Sequence, residues 1–434
     1  MNVAVILTEF RRRTDAASWI AAADNRLSAL LSECAELRDD EQLDPAYVIH
    51  LFDKFLDIER SSAKGKDPAF QLAFYKIAAK LRPKSRASHR ALANAYIHFL
   101  KIDSALEHLT AYLRLVADDD VLARKQMARL MWIGKAKEDF ISQFTSNAAA
   151  DRKSKFHYSD ELSEFFHAAN LGESADHHLR EWLSIRMLSE PEILGEEVRK
   201  YGDPALERAY ALYLYAVHSL KFRPPKFNDA SFISAFDLRD IIDGKRICMV
   251  ANSAALQESK AGELIDSHDI VVRFNSYAID QTNTGQKTDI HVSIHLHEFN
   301  LDKYVPIRII LGNAPVLWRK RVKGLKPGAQ DFVGDETLRY PLFNSKLCGE
   351  TPKTVGGAPT SGFNMLRLFH LFSNYSELNL IGFDSYESGA YRLEDAMALP
   401  LAAIHNSVSE KKWIEENCDV RSPLVKSVRP LERI

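Results

Sequence analysis

Short polar side chains follow two predicted strands in the C-terminal half of the chain. Asn252 and Ser253 come directly after RICMV (246–250), and Asn275 follows DIVVRF (269–274). Ligands of doubly wound sheets lie at the carboxyl ends of the strands, so these side chains would face a ligand. Asparagine and serine also form ordinary turns, and a turn is the better explanation for either position taken alone.

A Gly-rich loop leads directly into a predicted helix further along the chain. The stretch GGAPTSGFNMLRLFHLF places Thr360, Ser361 and Gly362 at the start of that helix. Free backbone N–H groups at a helix N-terminus, with two hydroxyls, would form a cradle for an anion or a ribose. An ordinary capped helix start is the alternative, because the loop is neither a Walker loop nor a dinucleotide fingerprint.

His405 and Glu410 lie five residues apart near the end of the chain. Histidine is the side chain best suited to accept a proton near neutral pH, and a nearby carboxylate would orient or stabilise it. A single histidine is more often structural or solvated than catalytic. From their residues alone, the three stretches predict an α/β domain that binds an anionic or nucleotide ligand.

The elements that hold these residues alternate between short β-rich runs and helical stretches. The strand candidates are RICMV (246–250), DIVVRF (269–274), DIHVSI (289–294), RIILG (308–312) and ELNLIGF (377–383), and a helix is predicted over FNMLRLFHLF (363–372). This alternation predicts an α/β domain with a mostly parallel sheet over residues 241–434. Residues 226–240, after a Pro pair, are predicted to be a linker.

The preceding residues, 1–225, are predicted to form an all-α, tetratricopeptide-like domain. Residues 86–117 fit a tetratricopeptide-type hairpin, in which small residues at 93 and 105 let two helices approach closely. A weaker copy is predicted from Asp120, with Leu130 and Gly134. A plain antiparallel helical array is an equally good interpretation, and such arrays usually bind protein or dock a domain.

Composition narrows the function classes and the compartment. The 434 residues carry 57 Lys and Arg against 59 Asp and Glu, so no bulk basic excess indicates nucleic acid. Four cysteines without a CxxC pair favour a reducing compartment. The N-terminus lacks a signal-peptide pattern, and no run of about 18 apolar residues predicts a spanning helix. A cytoplasmic protein is expected, with at most peripheral attachment at the inner membrane.

In this order and spacing, the three stretches resemble the sialylmotifs of the family 29 sialyltransferases. The large motif is matched by VANS, IDSHDIVVRFN and GQKTD, and the small motif by APTSG, LFHLF and LNLIGFD. The very small motif is matched by a His followed by Glu five residues on. The resemblance covers about Lys245–Asn417 and is to a bacterial-type member, since such enzymes elsewhere are usually Golgi-anchored.

The resemblance implies a variant of the glycosyltransferase A fold with one nucleotide-binding sheet, and a CMP-activated sugar acid as donor. It implies nucleotide or donor contacts for the polar residues of the first two stretches, which are Asn252, Ser253, Asn275, Thr360, Ser361 and Gly362. It also implies an inverting reaction in which His405 is the general base and Glu410 its partner. The acceptor hydroxyl would attack the anomeric carbon, and CMP would leave.

No metal or other cofactor is expected from the resemblance. CMP leaves as a monophosphate, and hydrogen bonds with a helix N-terminus would stabilise its charge without a divalent ion. Alternation puts His291, His295 and His297 on one face of a strand, an arrangement that a metal site would need. The family has a strand without metal there, which favours a structural or acceptor-side role.

Two departures from the family pattern bear on compartment and donor. The cysteines that secretory members join align with Ile247 and Phe372, so that bridge is not expected. A motif rich in His and Tyr should precede His405, but the region reads SGAYRLED, without His. Arg392 would serve the leaving phosphate or a carboxylate instead.

The expected partners are a CMP-sugar and a glycan or glycolipid acceptor, with a protein partner possible through the helical half. CMP-sialic acid is the favoured donor, and CMP-Kdo, another activated acidic 2-keto sugar, is the alternative, which would make the chain a Kdo transferase of surface polysaccharide or lipopolysaccharide. A further alternative is a helical scaffold that carries a non-catalytic nucleotide-binding domain.

Overall fold

We describe the protein from a computed structural model. The described residues are 84–116, 120–154, 201–221, 231–294, 298–311, 329–334, 359–398 and 405–431, with single helical positions at 72, 75, 76, 79, 183, 187, 194, 195 and 198. The chain divides into two compact units, Met1–Gly134 and Lys135–Ile434. The predicted domain limits of 1–225 and 241–434 remain a prediction.

The described part of the first unit contains a helical hairpin. Its helices are α1 (Arg86–His98) and α2 (Ile102–Leu115), and Ser85 caps α1 by accepting a hydrogen bond from the Ser88 N–H. Ala93 and Ala105 are fully buried, so the two helices do approach at small residues. The hairpin agrees with the sequence pattern, whereas the tetratricopeptide assignment remains a prediction.

Helix α3 (Val121–Ser154) runs without a break through the positions where a weaker second hairpin was predicted. Asp120 caps it, because its carboxylate accepts hydrogen bonds from the Ala123 N–H and the Tyr112 hydroxyl. Leu130 is buried and Gly134 is helical, so neither residue marks a turn. The prediction of a second short hairpin from Asp120 is therefore wrong.

The second unit is built on a sheet that contains nine strands in the described part of the chain. Their order is β1-β6-β5-β4-β3-β2-β7-β9-β8; all neighbours are parallel except the pairs β7–β9 and β8–β9. The strands are β1 (Ser231–Phe232), β2 (Arg246–Val250), β3 (Ile270–Phe274), β4 (Ile290–Ile294), β5 (Val305–Leu311), β6 (Ala329–Gly334), β7 (Glu377–Ile381), β8 (Cys418–Val420) and β9 (Val425–Val428). The prediction of a mixed α/β domain with a mostly parallel sheet is confirmed.

The chain reverses its direction across the sheet between β2 and β7. After β2 it proceeds outward through β3, β4, β5 and β6, and it then returns to pair β7 with the other side of β2. The crevice outside the carboxyl ends of the strands at such a switch point is the usual ligand site of open α/β sheets. The topology therefore predicts a ligand site at the segments that follow β2, β3 and β7.

The described helices of the second unit pack around this sheet. After α3 these are α4 (Pro204–Lys221), α5 (Ala235–Ile242), α6 (Gly262–Asp266), α7 (Ser361–Phe372), α8 (Glu394–Met397) and α9 (Ser407–Asn417). Tyr215 of α4 meets Phe372 of α7 edge to face at 5.7 Å, and Trp413 of α9 meets Phe363 of α7 at 5.5 Å. Central strands β2 and β3 are buried on both faces, as covered parallel strands are.

The predicted linker contains regular structure. Strand β1 and most of helix α5 lie between residues 231 and 240, and Ser234 and Asp237 form a reciprocal capping box at the start of α5. The Pro pair that suggested a linker lies outside the described residues. No helix in the described part of the chain combines the length and the apolar character that crossing a membrane requires.

Candidate functional site

The turn after β2 holds Asn252 by its nitrogen. The Asn252 Nδ2 group donates to the carbonyl of Phe274, the last residue of β3, at 2.9 Å. An amide that donates through its nitrogen presents its oxygen as the remaining group. Asn252 is 8% exposed, and its Oδ1 makes no hydrogen bond to a described residue. It therefore offers a hydrogen-bond acceptor at this edge of the sheet.

The turn after β3 holds Asn275 by its oxygen. The Asn275 Oδ1 accepts the Ile294 N–H at 3.1 Å, and the two hydrogens of Nδ2 make no hydrogen bond to a described residue. Asn275 has a positive φ of 47°, a conformation that asparagine tolerates better than most residues. It therefore presents a hydrogen-bond donor, which suits an anionic ligand.

Ser253 is used mainly within the protein. Its hydroxyl lies 2.9 Å from the Ser388 hydroxyl, and its oxygen accepts the Ala255 N–H at 3.1 Å. Ser388 donates in turn to a carboxylate oxygen of Asp384. Ser253 was predicted to bind the donor. In the structure it links the segment after β7 to the turn after β2.

That segment covers both strand ends. Its backbone bridges Ser253 with Ala390 and Tyr277 with Arg392, so Arg392 lies beside the turn after β3. Tyr386 is 38% exposed, yet its hydroxyl has lost enough hydration to raise its pKa. The positive charge of Arg392 opposes this rise in the pKa of Tyr386.

Helix α7 begins at the same edge. The Thr360 hydroxyl caps the helix by accepting the Phe363 N–H at 3.1 Å. Ser361 is 9% exposed, and a Cβ on Gly362 would lie 3.2 Å from Phe383 Cε1. Glycine thus lets the first turn, whose N–H groups have no earlier carbonyl within the helix, pack closely against the segment after β7.

Glu410 joins the starts of α7 and α9. Its carboxylate accepts the Thr360 N–H at 2.7 Å and the Thr360 hydroxyl at 2.8 Å. Burial raises the pKa of Glu410, and the two hydrogen bonds and the charge of His405 oppose that shift. The Thr360 hydroxyl, engaged by both Glu410 and Phe363, has no proton left for a ligand.

His405 stands just before α9, where Asn406 caps the helix by accepting the Ser409 N–H at 3.1 Å. Glu410 is in the first turn of α9 and is bonded to Thr360, so both members of the predicted pair stand at the start of α9. His405 is partly exposed, as a base that meets a substrate must be.

The predicted histidine row does not offer a complete metal site. Both ring nitrogens of His291 face protein atoms, the Asn275 carbonyl at 2.9 Å and an Arg308 guanidinium nitrogen at 2.5 Å. His295 and His297 lie outside the described residues. Where the structure describes the chain, no three His, Cys, Asp or Glu residues are grouped to hold a metal ion. The expectation of no metal requirement remains a prediction.

Residues 241–297 match the sequence model of glycosyltransferase family 29 (sialyltransferase). The family resemblance is confirmed over this segment. It contains β2, β3, β4 and both asparagines, and it ends before the Gly-rich loop and before His405. None of the curated proteins compared with the chain matches it.

Two crystal structures of mammalian sialyltransferases are among the similar solved structures. One, in complex with Gal-beta-1-3GalNAc-ortho-nitrophenol, is 18% identical with a TM-score of 0.31, over 46% of this chain and 73% of that chain. The other is 17% identical with a TM-score of 0.31, over 52% of this chain and 80% of that chain.

Sequence reasoning missed the groups that support the site. Ser388 follows β7 beyond the matched stretch LNLIGFD, which ends at Asp384, and Asn300 and Arg308 lie far along the chain from the turn that they support. Their signal is spatial, because Ser388, Asn300 and Arg308 are each bonded to a partner more than twelve residues away. Among the supporting residues the sequence predicted a role for His291 alone, as a structural or acceptor-side residue rather than a metal ligand.

Proposed function

We propose that the chain is an inverting glycosyltransferase that moves an acidic sugar, favoured as sialic acid, from a CMP-activated donor to a hydroxyl of a glycan. The observation that carries the proposal is the meeting of an oriented amide donor at Asn275, the start of α7, and His405 with Glu410 at one edge of the sheet. The glycosyltransferase A-like assignment of the fold is part of the same proposal.

The groups at this edge would bind different parts of the donor nucleotide. Asn275 Nδ2 and the first-turn N–H groups of α7 would bind the phosphate, since all are hydrogen-bond donors near a positive helix end. Asn252 Oδ1 would accept from a ribose hydroxyl or from the cytosine amino group. Arg392 would neutralise the phosphate or the carboxylate of the sugar.

In the reaction, the acceptor oxygen forms a bond to the anomeric carbon while the bond from that carbon to the phosphate oxygen of CMP breaks. The acceptor proton passes to His405, and CMP leaves with the electron pair of the broken bond. Through its two bonds to Thr360, Glu410 would hold the start of α9, which directly follows His405, against the start of α7. Donors around the phosphate would stabilise the developing charge.

The direct test is CMP release by the purified chain in the presence of EDTA, with CMP-sialic acid and CMP-Kdo compared. Release from CMP-sialic acid alone is the expected result, and release from CMP-Kdo alone would make the chain a Kdo transferase. Isothermal titration with CMP then distinguishes an acceptor-dependent enzyme from a protein that does not bind the nucleotide. Absence of CMP binding would overturn the proposal.

His405→Ala separates catalysis from binding. Loss of the base should lower turnover on the order of 100-fold or more, with CMP affinity near that of the wild type. Unchanged turnover would remove His405 from the mechanism. A chain that binds CMP tightly but shows no turnover with any glycan acceptor would instead be a scaffold with a nucleotide-binding domain.

A further inference from the structure

The backbone carbonyl of Asn275 is held by two side chains. His291 Nε2 donates to it at 2.9 Å, and Asn300 Nδ2 donates to it at 3.2 Å. The Asn275 N–H donates to the Val292 carbonyl at 2.8 Å. With its Oδ1 also bonded, every polar group of Asn275 except Nδ2 is fixed by the protein.

The role of each His291 nitrogen follows from its partner. A carbonyl only accepts, so Nε2 must carry the proton, and Nδ1 must therefore accept from Arg308. Burial and the charge of Arg308 lower the pKa of His291 to about 3. The ring is therefore neutral and in one tautomer throughout the range in which an enzyme would work.

Arg308 is itself fixed from behind. It is 1% exposed and donates to the carbonyls of Asn300 at 3.2 Å and Lys303 at 2.6 Å. Strand register places it directly beside His291, across β4 and β5. The buried residues Arg308 and His291 and the half-buried Asn275 thus form a series in which each group determines the orientation of the next.

A buried polar series of this kind is costly unless it is fully bonded, so its persistence in a parallel sheet calls for a reason. An apolar side chain at position 291 would serve the core without that cost. The series instead fixes Asn275, whose φ is positive. The one polar group of Asn275 that the protein does not use, Nδ2, is a hydrogen-bond donor at the carboxyl edge of the sheet.

We propose that His291, supported by Arg308, is a positioning residue for the donor nucleotide, which it serves by holding Asn275 so that Nδ2 faces the phosphate. This inference rests on the proposed function. His291 touches neither nucleotide nor sugar, and its effect passes through Asn275.

Two substitutions at His291 separate its two bonds. An Asn side chain reaches about as far as imidazole Nδ1, so His291→Asn keeps an acceptor for Arg308 and loses the donor to Asn275. A Gln side chain reaches about as far as Nε2, so His291→Gln keeps that donor. We expect His291→Asn to raise the Kd for CMP about tenfold, and His291→Gln to restore it to within about threefold of the wild type.

His268→Asn is the matched control. His268 is also buried and bonded through both nitrogens, to the Leu264 carbonyl and to Asn379, but it precedes β3 at the opposite edge of the sheet. The substitution His268→Asn should lower the unfolding temperature without changing the Kd for CMP.

In turnover assays, His291→Asn should raise the KM for the donor and leave kcat within about threefold.

A double-mutant cycle with Asn275→Ala decides whether the effect passes through Asn275. In that background His291→Asn should cost no further affinity, because the group that it positions is gone. Additive losses, or wild-type affinity in His291→Asn, would overturn this inference alone. A wild-type chain that does not bind CMP would overturn it together with the proposed function.

A measurement on the wild type covers the case in which His291→Asn does not fold. Nitrogen-15 NMR of histidine-labelled protein should show His291 as the neutral Nε2–H tautomer from pH 6 to 8, with the same tautomer after CMP is added. An Nδ1–H tautomer, or a ring that titrates in this range, would overturn the inference because Nε2 could then not be a fixed donor to Asn275.

Discussion

The turn after β2 and the turn after β3 carry the same residue type in opposite orientations. Asn252 is bound to the protein through its nitrogen and Asn275 through its oxygen. Each follows a buried parallel strand at the same edge of the sheet, yet one offers an acceptor and the other a donor. The backbone partner decides which end of each amide is left, and therefore what part of a ligand it suits.

The partners that make this difference come from neighbouring strands. Asn252 reaches sideways to the last carbonyl of β3, whereas Asn275 reaches to the N–H of Ile294 at the end of β4. Both partners belong to the sheet, so both orientations are set before any ligand binds. The site is in this sense preorganised for a ligand with an anionic part and a hydroxyl or amino part.

Replacing each asparagine by aspartate should separate the two turns most strongly. In Asn275→Asp one oxygen still accepts the Ile294 N–H, and the other replaces the donor that would face the phosphate. We expect the Kd for CMP to rise on the order of 100-fold, since a charge-assisted hydrogen bond is replaced by repulsion. The measurement is isothermal titration at fixed ionic strength.

Asn252→Asp should behave differently because an acceptor oxygen is kept toward the ligand. Its second oxygen would face the Phe274 carbonyl, so the unfolding temperature should fall more than in Asn275→Asp, while the Kd rises less than about tenfold. Asn275→Ala provides the uncharged control, with an expected loss of about tenfold. Equal effects of the two aspartates on affinity would show that the orientations do not matter for binding.

The central strands β2, β3 and β4 were predictable from the sequence, whereas β1, β6, β8 and β9 were not predicted. RICMV coincides with β2, and β3 and β4 differ from their predicted runs by one residue at the start. Strands buried on both faces are continuous apolar runs bounded by polar turns, and such runs leave little choice of limits. The positions of Asn252 and Asn275 at strand ends followed from these limits.

The orientations were not predictable, because they depend on contacts between strands that the order of residues does not reveal. The link from Glu410 to Thr360 spans 50 positions, and the one from Ser253 to Ser388 spans 135. For the same reason the sequence suggested that the Thr360 hydroxyl faces a ligand, whereas it is bonded to Glu410. Composition also predicted a linker over residues 226–240, a range that contains β1 and most of the capped helix α5.

Gly362→Ala tests how closely α7 must approach the two turns. The added Cβ would lie 3.2 Å from Phe383 Cε1 and 3.9 Å from Phe274 Cε2, at the strand end to which Asn252 is bonded. A small outward shift of the α7 start should raise the Kd for CMP about threefold. The unfolding temperature should change little, because alanine favours a helix over glycine by about 1 kcal/mol and offsets the crowding.

The matched control is Gly134→Ala in α3, where the new Cβ would lie 3.3 Å from Ile102 Cγ2 within the helical unit. That substitution makes a similar contact far along the chain from the asparagine turns and should leave the Kd unchanged. If both alanines weaken CMP binding equally, the close approach of α7 has no special role.

The smallest expected effect is a pH-dependent change in unfolding temperature caused by Glu410. This residue lies at the end of the site that neither asparagine contacts. Burial raises its pKa above the ordinary value of 4.5, so the folded protein binds this proton more tightly than the unfolded chain. The stability that this proton provides is complete below the unfolded pKa and is lost as pH rises through the folded pKa.

Unfolding temperatures of the wild type should therefore fall over this window relative to those of Glu410→Gln, which carries no such proton. Because all other titrating groups are common to both proteins, the difference between variant and wild type isolates Glu410, and it should grow as pH rises through the folded pKa of Glu410. Parallel curves would mean that the carboxylate at the start of α9 is as well solvated in the folded protein as in the unfolded chain, and the comparison would then reduce to the two asparagine turns alone.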